Sequence, residues 1–188
     1  MNLLERLKVE TRSAHDRIEK VVDLDRHTAT LADYRHLLKR FYGFHSVWEE
    51  AAGPLISDRE FFRQRRKTAL LARDLQQLGM TRDEIAQLPR CHPLMPLAGE
   101  AAALGSMYVI EGSTLGGAII AKTVERRLGL NPETGCAYFR SYGRETSLMW
   151  KSFGARLLEI SSATADDLIV ASAQRTFDVM RVWLGEAP

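Results

Sequence analysis

Apolar residues recur at spacings of three and four along almost the whole chain, and that one pattern restricts it to helices. The opening segment places Leu3, Leu4, Leu7, Thr11, Ala14, Ile18 and Val21 on one face. A second helix, capped by Thr30 with Asp33, runs through Tyr34, Leu37, Leu38, Phe41 and Trp48 to Gly53-Pro54. A third is expected from Phe61 to Leu78, stopped by Gly79. A short fourth follows a Thr81-x-x-Glu84 capping box and ends before Pro89. Pro93 and Pro96 mark a turn, and a long helix then runs from about Leu97 to Leu128, with Gly129 placed to end it. After a loop at Asn131–Gly135, helical spacing resumes at roughly Glu145 to Ile160, and Thr164 with Asp167 begins the last helix. No alternating pattern of strand length, internal repeat or low-complexity tract interrupts this order. The expected fold is all-α, one domain over residues 1–188, long enough to bury a substantial core.

Composition narrows the function classes. A net charge of +2 gives no reason to expect a nucleic-acid partner, and the most basic run, Arg63-Gln64-Arg65-Arg66-Lys67, reads as a solvated helix face. MNLLERLKVETR carries charges too early for an export signal, and the longest apolar run, Ala101 to Ile110, is closed by Glu100 and Glu111, so no membrane span is expected. Cys91 and Cys136 form no CxxC pair, and Cys91-His92 reads as an ordinary loop. A reducing cytoplasm fits these features.

The long helix contains GSMYVIEGSTLGGAIIAK, with Gly105, Gly112, Gly116 and Gly117. Each interior glycine costs roughly 1 kcal/mol against alanine, so the bare surface must serve something. Gly105, Gly112 and Gly116 fall within about 40° of one another on an ideal helix, with Gly117 about 100° round from Gly116. Such a strip suits close helix–helix packing or a flat ligand lying against backbone. Glu111, Ser113 and Thr114 beside it supply polar groups able to hold water. On the first helix His15 stands inside the apolar stripe, two turns after Lys8. It reads as a hydrogen-bonded core residue or as an axial ligand to haem iron, with Lys8 placed to meet a propionate.

Together KVETRSAHDRIE (Lys8 to Glu19) and LGSMYVIEGSTLGGAII (Leu104 to Ile120), and more loosely GRETSLMWKSF (Gly143 to Phe153), resemble the bacterial branch of the haem (heme) oxygenase family, including members that serve bacteriophytochromes. The resemblance covers most of the chain. It implies a compact multi-helix bundle with haem b, both cofactor and substrate, between a proximal helix and a kinked distal helix. By that resemblance His15 is the proximal iron ligand. Lys8 and Tyr108 lie on the propionate side, with Arg144 and Lys151 as further propionate partners. Gly112 and Gly116 are the distal glycines, Gly117 extends the pair, and Ser113 stands where animal enzymes carry an aspartate, as it does in bacterial members.

The implied activity is oxidative cleavage of haem to biliverdin, carbon monoxide and ferrous iron, using O2. Electrons must come from outside, from a ferredoxin or flavin reductase, since the chain has no G-x-G-x-x-G after a strand and no iron–sulfur cysteine set. A bacteriophytochrome is the implied recipient of biliverdin. The rival readings are a non-catalytic haem carrier or sensor on the same fold, and a relative binding a thiamine-type pyrimidine.

Overall fold

A computed structural model describes residues 1–92 and 96–185, all of whose regular elements are helical. The helices are α1 (Leu3–Val21), α2 (Leu24–His27), α3 (Leu31–Ala52), α4 (Arg59–Arg63), α5 (Thr68–Gln77), α6 (Arg82–Ala86), α7 (Gly99–Leu128), α8 (Ala137–Arg140), α9 (Thr146–Glu159) and α10 (Ala163–Gly185). Pro93 of the expected turn lies outside the described residues.

Local chemistry sets most boundaries. Asn2 and Glu5 form a reciprocal capping box at α1, and Thr81 with Glu84 forms the expected one at α6. The Thr30 hydroxyl accepts from the Asp33 N–H at 3.1 Å and starts α3. Gly129 adopts the left-handed conformation, φ 67°, and ends α7. The last helix begins at Ala163, not at Thr164 with Asp167. Ser162 provides the cap by accepting from the Ala165 N–H at 3.2 Å.

Three differences from the sequence expectation have long-range causes. The helix expected over Phe61–Leu78 is two helices. The carboxylate of Glu49 on α3 accepts from the backbone N–H groups of Lys67 (2.5 Å) and Thr68 (2.8 Å), capping a fresh start at α5. The basic run at that break is therefore not a solvated face: Arg65 and Lys67 are each only 2% exposed. The unexpected α8 starts where buried Asp74 accepts from the N–H groups of Ala137 and Tyr138, both at 2.8 Å.

Asp74→Ala removes two charge-assisted bonds and leaves two buried donors unpaired. It is expected to cost about 2–4 kcal/mol in a urea melt; a loss below about 0.5 kcal/mol would show that α8 does not depend on this cap.

α10 is the base of the molecule, packed against both α7 and α1, while α3, α5 and α8 form the other side. One apolar cluster joins them, with Leu7, Tyr34, Trp48, Phe153 and Ile169 at its centre. By length and composition α7 is apolar enough to cross a membrane, contrary to the sequence expectation. In the fold it is a core helix, with 56% of its most apolar window buried.

Candidate functional site

Because α1 and α7 both rest on α10, the space between them is left open. It forms a cavity of about 1050 Å³, a volume suited to a sizeable organic ligand. α1 contributes Lys8, Thr11 and His15 to one wall; α7 contributes Tyr108 and the stretch from Gly112 to Gly117 to the other. Phe177, Met180 and Leu184 of α10 line it too, with Trp150 of α9 and Tyr138 and Phe139 of α8.

The glycines divide by partner. A side chain at Gly105 would stand 2.7 Å from the Cα of Ile169 on α10, and one at Gly117 would stand 2.9 Å from the Phe139 carbonyl oxygen. Those two glycines allow helices to pack closely. A Cβ at Gly116 would meet nothing within 4 Å, and one at Gly112 only the Trp150 ring at 3.8 Å. At these two positions the backbone faces the cavity, so Gly105 and Gly117 serve packing while Gly112 and Gly116 leave the space a flat ligand would need. Gly117 borders the cavity as well, but its bare side is filled by α8.

His15 is not a core residue. Its side chain is 54% exposed and faces the cavity, although Thr11, Ala14 and Ile18 around it are buried. Its ring meets Phe177 edge-on at 6.1 Å, and its Nδ1 lies 3.8 Å from the Glu19 carboxylate one turn on. At that distance the carboxylate is an electrostatic neighbour of Nδ1 and not a hydrogen-bond partner, and the ring stays open to the cavity. Glu19 was not singled out from the sequence, though its i+4 spacing was visible there.

Lys8 is exposed at the cavity wall. Tyr108 is half-buried against Trp150, with ring centroids 5.5 Å apart; burial pushes its hydroxyl up, opposed by a hydrogen bond with Thr11. Ser113 lines the cavity and donates to the Ile110 carbonyl at 2.7 Å. Arg144 and Lys151 are exposed and do not border the cavity, so the structure does not bring these two expected propionate partners to it. Spacing placed them on or just before the right helix, but Trp150 is the residue of that segment that turns inward.

Behind the cavity wall, His45 is fully buried and paired with the Tyr138 hydroxyl at 2.9 Å. Burial pushes its pKa down to about 4. A histidine held neutral in the fold but free to protonate when unfolded costs stability in acid. Stability is expected to fall as pH drops from about 6.5 towards 4, by up to roughly 3 kcal/mol from this residue. His27 and His36 are shifted in the same direction. Urea melts across that range should show a shallower acid slope for His45→Gln; an unchanged slope would remove His45 as the cause.

An all-α fold with an imidazole and a bare helical backbone facing each other across a ligand-sized cavity defines a helix-sandwich binding protein. The heme oxygenase family model matches residues 1–186, and the chain belongs to the heme oxygenase family. A heme oxygenase of Xanthomonas campestris pv. campestris is 31% identical over 160 residues, covering 83% of this chain and 87% of that protein. Among solved structures, the Leptospira interrogans heme oxygenase superposes with TM-score 0.79 at 19% identity, covering all of both chains. The NO- and CO-bound heme oxygenase of Neisseria meningitidis gives 0.77 at 22%, covering 100% of this chain and 94% of that one. The heme complex of heme oxygenase-1 from the cyanobacterium Synechocystis gives 0.68 at 20%, covering 98% and 91%. The fold is that of these enzymes.

Proposed function

We propose that this chain cleaves haem b to biliverdin, carbon monoxide and ferrous iron, with O2 as oxidant. The observation that carries the reading is the pairing, across one cavity, of the His15 imidazole with side-chain-free backbone at Gly112 and Gly116. Bound haem supplies the redox-active iron and the meso carbon that is oxidised.

The protein's part is binding, orientation and electrostatics. His15 would hold the iron from α1, with the Glu19 carboxylate one turn away favouring charge on its ring. Lys8 is placed to neutralise a propionate, and Tyr108 adds a polar tip on an aromatic wall. Gly112 and Gly116 keep the opposite side clear for a diatomic ligand. Their bare backbone, with the Ser113 oxygen still able to accept, supports ordered water there. Phe177, Met180 and Leu184 give an apolar flank that excludes bulk water from the ring.

Electrons come from a separate ferredoxin or flavin reductase, and a bacteriophytochrome is a fitting recipient of biliverdin. Two free, buried cysteines suit a reducing cytoplasm.

Incubating the haem complex with ascorbate under oxygen tests the reading. The Soret band should disappear as a biliverdin spectrum grows, and chromatography of the product should give a defined isomer. A haem complex whose Soret band persists would make the chain a carrier.

A further inference from the structure

Among the described residues lining the cavity, one charged side chain is buried. Lys8, Arg12, Asp16, Glu19 and Lys20 are all exposed, whereas Lys67 is 2% exposed. Its backbone is fixed by Glu49 at the start of α5. Its Nζ lies 3.6 Å from the centroid of the Tyr142 ring, and no hydrogen bond among the described residues engages it. Buried ammonium groups are normally paired and hydrogen-bonded. One left with a ring face and a cavity has capacity for a ligand.

The surrounding groups fix where this charge sits. The Tyr142 hydroxyl donates to Glu111 Oε1 at 2.7 Å, and Glu111 is the α7 residue immediately before Gly112. Arg65 Nε lies 3.4 Å from Glu111 Oε2, and the same guanidinium donates to Ser152 at 2.7 Å and to the Met149 carbonyl at 3.3 Å. From α3, Glu49 and His45 complete the titratable groups facing the lysine. Burial lowers the Lys67 pKa to about 8; Glu111 and Glu49 oppose that shift and Arg65 adds to it, so the ammonium stays charged at neutral pH. Burial likewise pushes the Glu111 carboxyl up, against Lys67, Tyr142 and Arg65.

We propose that Lys67 presents a positive charge and a hydrogen-bond donor, from the inner wall of the cavity, to the diatomic ligand on the Gly112 side of bound haem. Glu111 and Tyr142 are its positioning residues. This rests on the haem reading above and adds to it a charged side chain, where the sequence pointed to backbone, Ser113 and neighbouring polar groups that hold water. A charged donor stabilises a polarised ligand more than a neutral one does.

The test uses carbon monoxide as probe on the ferrous haem complex, read by the infrared C–O stretch. Positive charge near the outer atom weakens the C–O bond, so the wild-type stretch should move to higher wavenumber as pH rises through about 8 and the ammonium is lost. Lys67→Met should sit at the higher value at every pH. Lys67→Arg should keep the lower value through that range, because a guanidinium does not titrate there. Glu111→Gln, which removes the opposing charge, should move the midpoint to lower pH.

A Lys67→Met complex with the wild-type stretch and pH response overturns the proposal. So does a folded Lys67→Met protein that no longer binds haem, since the lysine would then hold the macrocycle itself. Should Lys67→Met not fold, wild-type pH responses in both Lys67→Arg and Glu111→Gln overturn it. Failure of the wild type to bind haem at all would instead sink the haem reading, a separate outcome.

Discussion

His15→Ala is expected to fold normally and to lose turnover by at least about 100-fold. The side chain is more than half exposed and its ring contact is a single edge-on one with Phe177, so its loss should cost under about 1 kcal/mol of stability. In the proposed role of iron donor, however, it would have no equal substitute: among the described α1 residues facing the cavity, Asp16 and Glu19 offer carboxylates, which are harder donors than imidazole. Even an outer partner of a metal ligand is worth about 10–100-fold, so the ligand itself should be worth more. The haem complex should show an altered Soret band that added imidazole restores, by entering the space the side chain left. Unaltered spectra and turnover in the variant would assign the iron to another residue.

The second large effect separates the glycines. Gly105→Ala forces a methyl group against the backbone of Ile169, where neither helix has a flexible side chain to move aside. The resulting separation of α7 from α10 should cost on the order of 3 kcal/mol. Gly116→Ala, by contrast, enters open space and should stabilise the ligand-free protein by about 0.5–1 kcal/mol through helix propensity alone. Gly116→Leu should retain that stability yet lose haem binding and turnover, because its side chain occupies the cavity. Urea melts paired with haem titrations read both quantities. Equal destabilisation by alanine at 105 and 116 would mean that the two glycines do the same job.

These contrasts show what periodicity could and could not convey. Apolar spacing placed α1, α3 and α7, and capping pairs three residues apart marked the starts of α3 and α6, as with Thr81 and Glu84. The break before α5 and the existence of α8 depend on Glu49 and Asp74, carboxylates 18 and 63 residues away from the first N–H groups they cap. No local pattern contains that information. The same holds for Lys67, which in a run of basic residues looks like surface and is drawn inside by the start of a helix.

His15 illustrates a different ambiguity. The apolar stripe marks the side of α1 that faces inward, but it does not distinguish a face covered by protein from one bordering a cavity. The glycine strip had the same double meaning, and only the positions of Ile169, Phe139 and Trp150 separate its members. Family resemblance brought Lys8, His15, Tyr108, Gly112 and Gly116 to one site, and the structure gathers all five at one cavity. It does not do so for Arg144, which lies exposed before α9, or for Lys151, where a one-residue offset along α9 exchanges a solvent-facing lysine for the inward-facing Trp150.

The shared seat of α1 and α7 on α10 makes that last helix a calliper. The jaw width between the imidazole and the glycine backbone depends on buried residues such as Ile169 and Ala173, which do not line the cavity. Enlarging or trimming them alters how far apart the jaws stand while every group in the jaws keeps its identity. Divergent members of such a fold can thus retune grip on the same flat molecule from its far side.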